Sequence, residues 1–448
     1  MKKRHRNIIL SLLIPLLILV FKPLGLSLSQ SIVLSSLVLT LSLWVNKAAN
    51  KTLVSLFLLV IFLTFGNTPY ERVLFFPLSS DFWLIILSFL FSQGIVNSKL
   101  ADKLFRPYIG YFATTPFKLI LTAIVFAAVM IFAIPQPFSR LIIISMIFRE
   151  YFQSLDIKER TRKILAFSVF MVIFIVNGTV LKADIIFNRA IVNIAQAPID
   201  DFIWMKYMTV PTLVFLGITV FAFLTRFRNE LKEYHPQKSG KPTIILTSKD
   251  KINLLILIFT LLLWATEGIH PVSGFFTILI GTLLMFARGL ITRKDFKHIE
   301  WKLLVFLTAT FSIGATMSGS GTAGTLFGKL EPIFPDEMGI SLVLAIILST
   351  MLIHMVLGSL VTTVSVVIPG LFILTKGVIP LEIMMFLVYI SIFSHYLLPF
   401  HSVGLVVGEG SGFFDDRVVF NFGLVMTVIT LIAPFLIYLP WWKLVGFL

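Results

Sequence analysis

GSLVTTVSVVIPG at residues 358–370 and HYLLPFHSVGLVVGEGSG at residues 395–412 decide the fold. Both are flanked by apolar runs. The first nonetheless carries Ser359, Thr362, Thr363, Ser365 and Pro369, and the second Pro399, His401, Ser402 and Gly404. The apolar flanks imply membrane depth. A helix crossing a bilayer satisfies its backbone internally, and irregular backbone facing lipid is not tolerated in the hydrocarbon region. Broken segments rich in hydroxyls therefore line a cavity walled by protein. Membrane carriers place substrates and coupling ions at such breaks, where half-helix ends and freed carbonyls meet the ligand. For each hydroxyl taken singly there is a competing local reading: Ser and Thr let helices approach closely, or bond back to the preceding turn.

Composition supports membrane depth along the whole chain. Of 448 residues, 57% are hydrophobic and only 13% charged, with a mean hydropathy of +0.97. Soluble domains carry about 25% charged residues, so the chain reads as an integral membrane protein. No polar block is long enough to fold as a separate soluble domain. Cysteine is absent, which excludes disulfides, thiol catalysis and Cys-ligated metals. The net charge of +15 sits in short basic runs between apolar spans. Such runs orient a membrane protein and imply no nucleic-acid partner. No G-x-x-x-x-G-K-[ST] phosphate loop occurs, which excludes a nucleotide-driven pump.

The N-terminal MKKRHRN followed by IILSLLIPLLILVF resembles a signal peptide but lacks a small-residue cleavage site. A retained first membrane segment with its N-terminus in the cytoplasm is expected. Apolar segments follow to about residue 225, and a basic stretch, residues 226–251, interrupts them before they resume. Its Lys and Arg excess marks a cytoplasmic linker between a first half, 1–225, and a second, 252–448. Segments 137–148 and 401–408 are too short to span, since about 20 residues are needed, and read as re-entrant or unwound pieces.

The halves repeat. LWVNKAANKTLVSLF at 43–57 resembles LWATEGIHPVSGFF at 263–276, with Trp44 and Trp264 standing 220 positions apart. FLFSQGIVNSKLADKLF at 89–105 resembles FSIGATMSGSGTAGTLF at 311–327, at an offset of 222. Internal repetition of this kind builds many secondary carriers. An odd number of crossings per half inverts the second half and puts the C-terminus outside. Extending the alignment sets Ser139 and Arg140 opposite Thr363 and Val364, and GTVLKADIIF at 178–187 opposite LPFHSVGLVV at 398–407.

The first-half counterpart is the more charged, with Arg140, Lys182 and Asp184 in or beside apolar runs. An unpaired cation at the bilayer centre costs ~3 kcal/mol or more. Three readings follow: pairing with a carboxylate, Asp184 being the nearest; a countercharge from an anionic ligand; or snorkelling to an interface. His401, beside the break, suits an anion contact or proton coupling, against a packing hydrogen bond; His354 and His395 read as packing residues. No metal site is expected, because no carboxylate or second His falls at helical spacing from these histidines.

At this point the order of features resembles the divalent anion:sodium symporter family, which carries dicarboxylates, citrate and sulfate. The resemblance runs through PLGLSLSQSIVLSSLVLTLSLWV (23–45), DFWLIILSFLFSQGIVNSKLADKLF (81–105) and IEWKLLVFLTATFSIGATMSGSG (299–321). In that family each repeat supplies a re-entrant hairpin with a Ser-Asn-Thr tip and an unwound helix with a Thr-Pro-Pro-Asn type of break, which together bind carboxylate and Na⁺. Carried over by position, the second tip falls at Ser359, Leu360, Val361, Thr362 and Thr363, with Pro369 in its usual place and Ser365 between, and the second break at Leu398 and Pro399, with Ser402 where Thr is common. Asn is missing from both. The first tip maps to residues 135–139, beside Arg140, and the first break to 178–184, with Gly178, Thr179 and Lys182; neither keeps the motif.

The resemblance implies an all-α polytopic membrane protein of two inverted repeats, about 11 transmembrane helices with two re-entrant hairpins and broken helices. It also implies a secondary carrier of di- or tricarboxylates or similar oxyanions in the cytoplasmic membrane, surrounded by lipid and paired as a homodimer. Na⁺ is the candidate coupling ion, with no other cofactor. Arg140 and Lys182 stand where ion ligands are expected, so first-half Na⁺ coupling is expected to be weakened. The competing class is a membrane enzyme acting on lipid-linked sugars, which usually needs a sizeable outward loop bearing Arg, His or acidic residues. The one long polar stretch is basic and by its charge faces inward. A channel is disfavoured by broken helices in duplicated halves.

Overall fold

Apolar runs bounded by capping residues become helices throughout, and no strand occurs among the described residues. The computed structural model describes residues 2–45, 49–134, 136–236, 244–266, 271–328, 331–375 and 377–448. Pro135 at the expected first tip, and 237–243 within the basic stretch, lie outside the described residues.

The first half runs α1 (Lys2–Phe21), α2 (Leu28–Val45), α3 (Lys51–Phe65), α4 (Ser80–Ser98), α5 (Leu100–Phe112), α6 (Pro116–Ala133), α7 (Pro137–Gln153), α8 (Glu159–Asn177), α9 (Phe187–Ala195) and α10 (Asp201–Arg226). The second runs α11 (Ser248–Ala265), α12 (Gly274–Ala287), α13 (Trp301–Gly319), α14 (Ile340–Leu357), α15 (Leu360–Thr375), α16 (Leu381–Ile392), α17 (Val403–Gly410) and α18 (Asp416–Leu444). The last of these contains a π-turn at Pro434–Tyr438. By length and composition α4, α6, α10, α13 and α18 suffice to cross a membrane, and several shorter apolar helices accompany them.

Local chemistry sets the boundaries. Thr115 accepts a hydrogen bond from the Lys118 amide and Pro116 opens α6, an arrangement that suits a helix start because Pro lacks the amide left unpaired there. Asn50 caps α3, Asp200 caps α10 and Asp415 caps α18 in the same way. Thr247 and Asp250 form a reciprocal capping box at the start of α11, which also holds Lys103 at 2.7 Å. Those donors hold the Asp250 carboxyl down to about 2, the Lys103 ammonium foremost. Inside the helices many hydroxyls bond back one turn: Thr122 to Lys118 O, Thr310 to Phe306 O and Thr350 to Ile346 O. Outer faces stay apolar. α6 buries Leu119, Ile120, Ala123 and Met130 yet exposes Phe117, Leu121, Val125, Val129 and Phe132, as a helix wetted by lipid does.

The chain divides into two compact units, each drawing on both halves. One comprises residues 1–82, 190–199 and 300–392. Its core is Val33, Leu37, Leu58, Phe62, Ala309, Ile313 and Met317, from α2, α3 and α13. Glycines bring its helices close. A side chain at Gly314 would meet Pro369 Cγ of α15 at 3.1 Å, and one at Gly319 would overlap Thr68. Gly321, at φ +73°, takes the left-handed turn after α13, whereas nothing crowds Gly324.

The other unit comprises residues 83–189, 200–299 and 393–448. Here α8 is central, with Ile164, Phe167, Met171 and Ile173 wholly enclosed. Phe167 meets Phe223, Tyr396, Phe414 and Phe422 edge-on or tilted, at centroid distances of 5.3–6.3 Å. Ion pairs gird its polar end: Lys158 with Glu233 at 2.5 Å, and Arg160 with Glu230 at 2.9 Å. The Lys158 ammonium and the Thr161 hydroxyl hold the Glu233 carboxyl below its ordinary range.

Candidate functional site

Two helices of the second unit's first-half portion are interrupted beside each other. α6 ends at Ala133, and Gln136 caps α7 by accepting the Ser139 amide. Between α8 and α9 it unwinds over residues 178–186, with one 3₁₀ turn at Leu181–Ala183. The expected short piece 137–148 is wound, not unwound, and lies within the 17-residue helix α7. It continues to Gln153 because Arg149, Glu150 and Gln153 extend it on an exposed face.

The break's carbonyls are met by named side chains. Asn188, fully buried, donates Nδ2 to Asn177 O at 2.9 Å and Val180 O at 3.0 Å. Trp204 Nε1 donates to Gly178 O at 3.1 Å and Thr209 Oγ1 to Thr179 O at 2.7 Å. The Thr179 hydroxyl bonds back to Val176 O. Asp184 Oδ1 accepts from the Ile186 and Phe187 amides, capping α9. Each unmet buried group would cost about 1–3 kcal/mol, so this set is what lets the helix break away from water.

Arg140, one turn into α7, has no exposed surface. Its guanidinium donates to Ile134 O at 2.8 Å, to Asn177 Oδ1 at 2.8 Å and to Ala183 O. It thereby ties the turn before α7 to both sides of the break. Among the described residues no carboxylate pairs with it, and its Nε has no hydrogen-bond partner. Lys182 behaves differently. Its ammonium lies 3.2 Å from Asp201, donates to Trp264 O at 3.3 Å and stands over the Trp264 ring. The carboxylate partner is thus Asp201 and not the nearer-in-sequence Asp184, whose oxygen is spent on the α9 cap.

The second-half break, residues 393–402, belongs to the same unit. His401 Nδ1 accepts from the Leu397 and Leu398 amides, both at 3.0 Å, which requires an unprotonated Nδ1 and fixes the turn before α17. His395 Nε2 meets Thr427 Oγ1 at 3.2 Å, a packing contact. Ser402 starts α17, and its hydroxyl bonds to no described residue; the same holds for Ser139 in the first turn of α7. The helix starts adjoin. A side chain at Gly404 would collide with Leu141 of α7 at 2.8 Å and Phe174 of α8 at 2.6 Å. This unit therefore holds Ser139, Arg140, Gly178, Thr179, Lys182, His401 and Ser402, with Arg140 reaching the first break and α17 adjoining α7. Two half-buried hydroxyls at adjoining helix starts and a buried guanidinium suit an oxyanion.

The second-half hairpin belongs to the other unit. α14 ends at Gly358, whose φ of +61° reverses the chain, and α15 begins at Leu360. Thr362 Oγ1 donates to Ser359 Oγ at 3.0 Å. Thr363 Oγ1 bonds Ser359 O at 2.8 Å and His354 Nδ1 at 3.2 Å, and Ser365 Oγ bonds Val361 O at 2.8 Å. These hydroxyls keep their local bonds, as the competing reading has it, while their oxygens retain lone pairs.

Sequence reasoning missed Gln136, Asn177, Asn188 and Asp201. Two amides flanking a Gly-Thr pair in an apolar run, N177-G-T to N188, were a usable signal. No cluster of His, Asp and Glu able to hold a metal occurs among the described residues. Compared with known families, the chain matches the sodium:sulfate symporter transmembrane region over residues 2–448. No curated protein matches it.

Proposed function

The chain belongs to the sodium:sulfate symporter family, a family of transporters and not of enzymes, and from that premise we propose that it carries divalent oxyanions. Secondary anion transport follows from the family. The narrower reading is sulfate or a small di- or tricarboxylate, moved by alternating access across the cytoplasmic membrane. The membrane-enzyme reading is set aside by the same premise.

One observation carries it: two successive helices, followed by a helix that unwinds, occur once in each half. The starts of α2, α4, α6, α7 and α8 precede those of α11, α13, α14, α15 and α16 by 220–224 residues. That order supports two structural repeats, as duplicated carriers have. The unit boundaries support it too. Shifted by that offset, most of segment 1–82 of one unit lands in the other, and most of segment 83–189 of the other lands back in the first. Lys and Arg bias supports a cytoplasmic N-terminus and linker, and inversion of the second half then puts the C-terminus outside. Na⁺ coupling and pairing of two copies are carried over from the resemblance alone.

A melting screen of the purified full chain against sulfate, succinate, citrate and chloride, each with Na⁺ or choline, tests the reading. At least one divalent anion should raise the melting temperature saturably, because a ligand of the folded state stabilises it by mass action. Equal response to all anions, chloride included, refutes it.

A further inference from the structure

We propose that Arg140 is a resident cation, its guanidinium filling an oxygen cage that would otherwise hold a small monovalent cation, so that the first half needs no mobile ion. The inference rests on the carrier reading above. Three oxygens from three separate segments converge on one group: Ile134 O just past α6, Asn177 Oδ1 at the end of α8, and Ala183 O within the break. All three are neutral carbonyl or amide oxygens. The first two stand at helix C-termini, where the peptide dipoles present their negative ends. Unwound carbonyls and half-helix C-termini are the groups with which carriers coordinate Na⁺. Hard monovalent cations take such oxygens, and here a covalently tethered cation has taken them instead.

The charge is also well placed to stay. A guanidinium is protonated at every working pH, so this cation neither leaves nor titrates. Asp184, the acid whose charge acts on Arg140, caps the Ile186 and Phe187 amides and makes no direct ion pair with the guanidinium. Lys182, by contrast, is neutralised by Asp201 at 3.2 Å. Two donors, Arg140 Nε and Gln136 Nε2, are buried without partners among the described residues, so the tip retains capacity toward an anion. The second half carries no equivalent. Val364 stands 224 positions after Arg140, and the asymmetry is therefore written in the chain.

The test is Arg140→Ala in the full chain, purified in detergent, with melting followed as NaCl replaces choline chloride at constant ionic strength. Vacating the cage should create a Na⁺ response larger than that of the native protein, a saturable rise of about 2 °C or more at about 300 mM Na⁺. Adding Asn177→Leu should abolish the gain. If Arg140→Ala does not accumulate, Arg140→Gln and Arg140→Lys decide: the neutral variant should become Na⁺-responsive and the charged one should not. A Na⁺ response equal in native and variants overturns the proposal. That result leaves the carrier reading intact, since anion-induced melting shifts of the native chain report on it separately.

Discussion

Replacing Asn188 with Leu removes one buried amide while keeping its volume. In the native break Nδ2 serves Asn177 O at 2.9 Å and Val180 O at 3.0 Å, with Leu181 O at a marginal 3.4 Å. The surroundings are enclosed: Asn188 and Leu181 have no exposed surface, so water cannot substitute. Val180 O keeps the Ala183 amide at 3.0 Å, so one carbonyl, Asn177 O, is left unmet, giving about 1–3 kcal/mol of destabilisation. For a chain of this length unfolding as one unit, about 1 kcal/mol corresponds to roughly 1 °C, so melting should fall by about 1–3 °C. Local loosening should exceed the global change. The chain lacks cysteine, so Val180→Cys provides a clean label, and its thiol should react faster with Asn188→Leu than without it. Unchanged melting together with unchanged labelling would refute the claim that side chains, and not water, hold the break.

Ser402→Ala should weaken binding of the best anion by about 1 kcal/mol, roughly fivefold, with melting of the unliganded protein unchanged, because the hydroxyl bonds to no described residue. Thr363→Val should instead lower melting itself, since it breaks bonds to Ser359 O and His354 Nδ1; titrations paired with melts separate the two. Asp250→Asn should destabilise the chain at neutral pH. Its carboxyl lies below the unfolded value in the folded state, so its contribution is full above about pH 4 and vanishes as pH falls through about 2. Melts of native and variant across that window should therefore converge at the acid end.

The membrane architecture was legible because apolar runs, capping residues and interruptions are local signals. The pair Thr247 and Asp250 announces a helix start, and Gly358 followed by Ser359 a reversal. Hydroxyl roles were only half legible. Thr362, Thr363 and Ser365 bond locally while Ser402 does not, and nothing in their spacing separates them. Partners of charged groups were the least legible. Arg140 gathers oxygens from positions 134, 177 and 183, and Lys182 bypasses Asp184 for Asp201, because helix capping claims the nearer carboxylate. The apolar run at 137–148 understates its helix, which continues to Gln153 through charged residues on an exposed face.

Solute counterflow tests the central claim most directly. Liposomes containing the protein are loaded with unlabelled sulfate or succinate and diluted into a trace of the labelled anion, with Na⁺ on both sides. A carrier that alternates access exchanges label for unlabelled anion, so label should accumulate transiently above its equilibrium level and then decay. Simple equilibration without overshoot would indicate a channel, and no protein-dependent uptake of any divalent oxyanion would contradict the account outright.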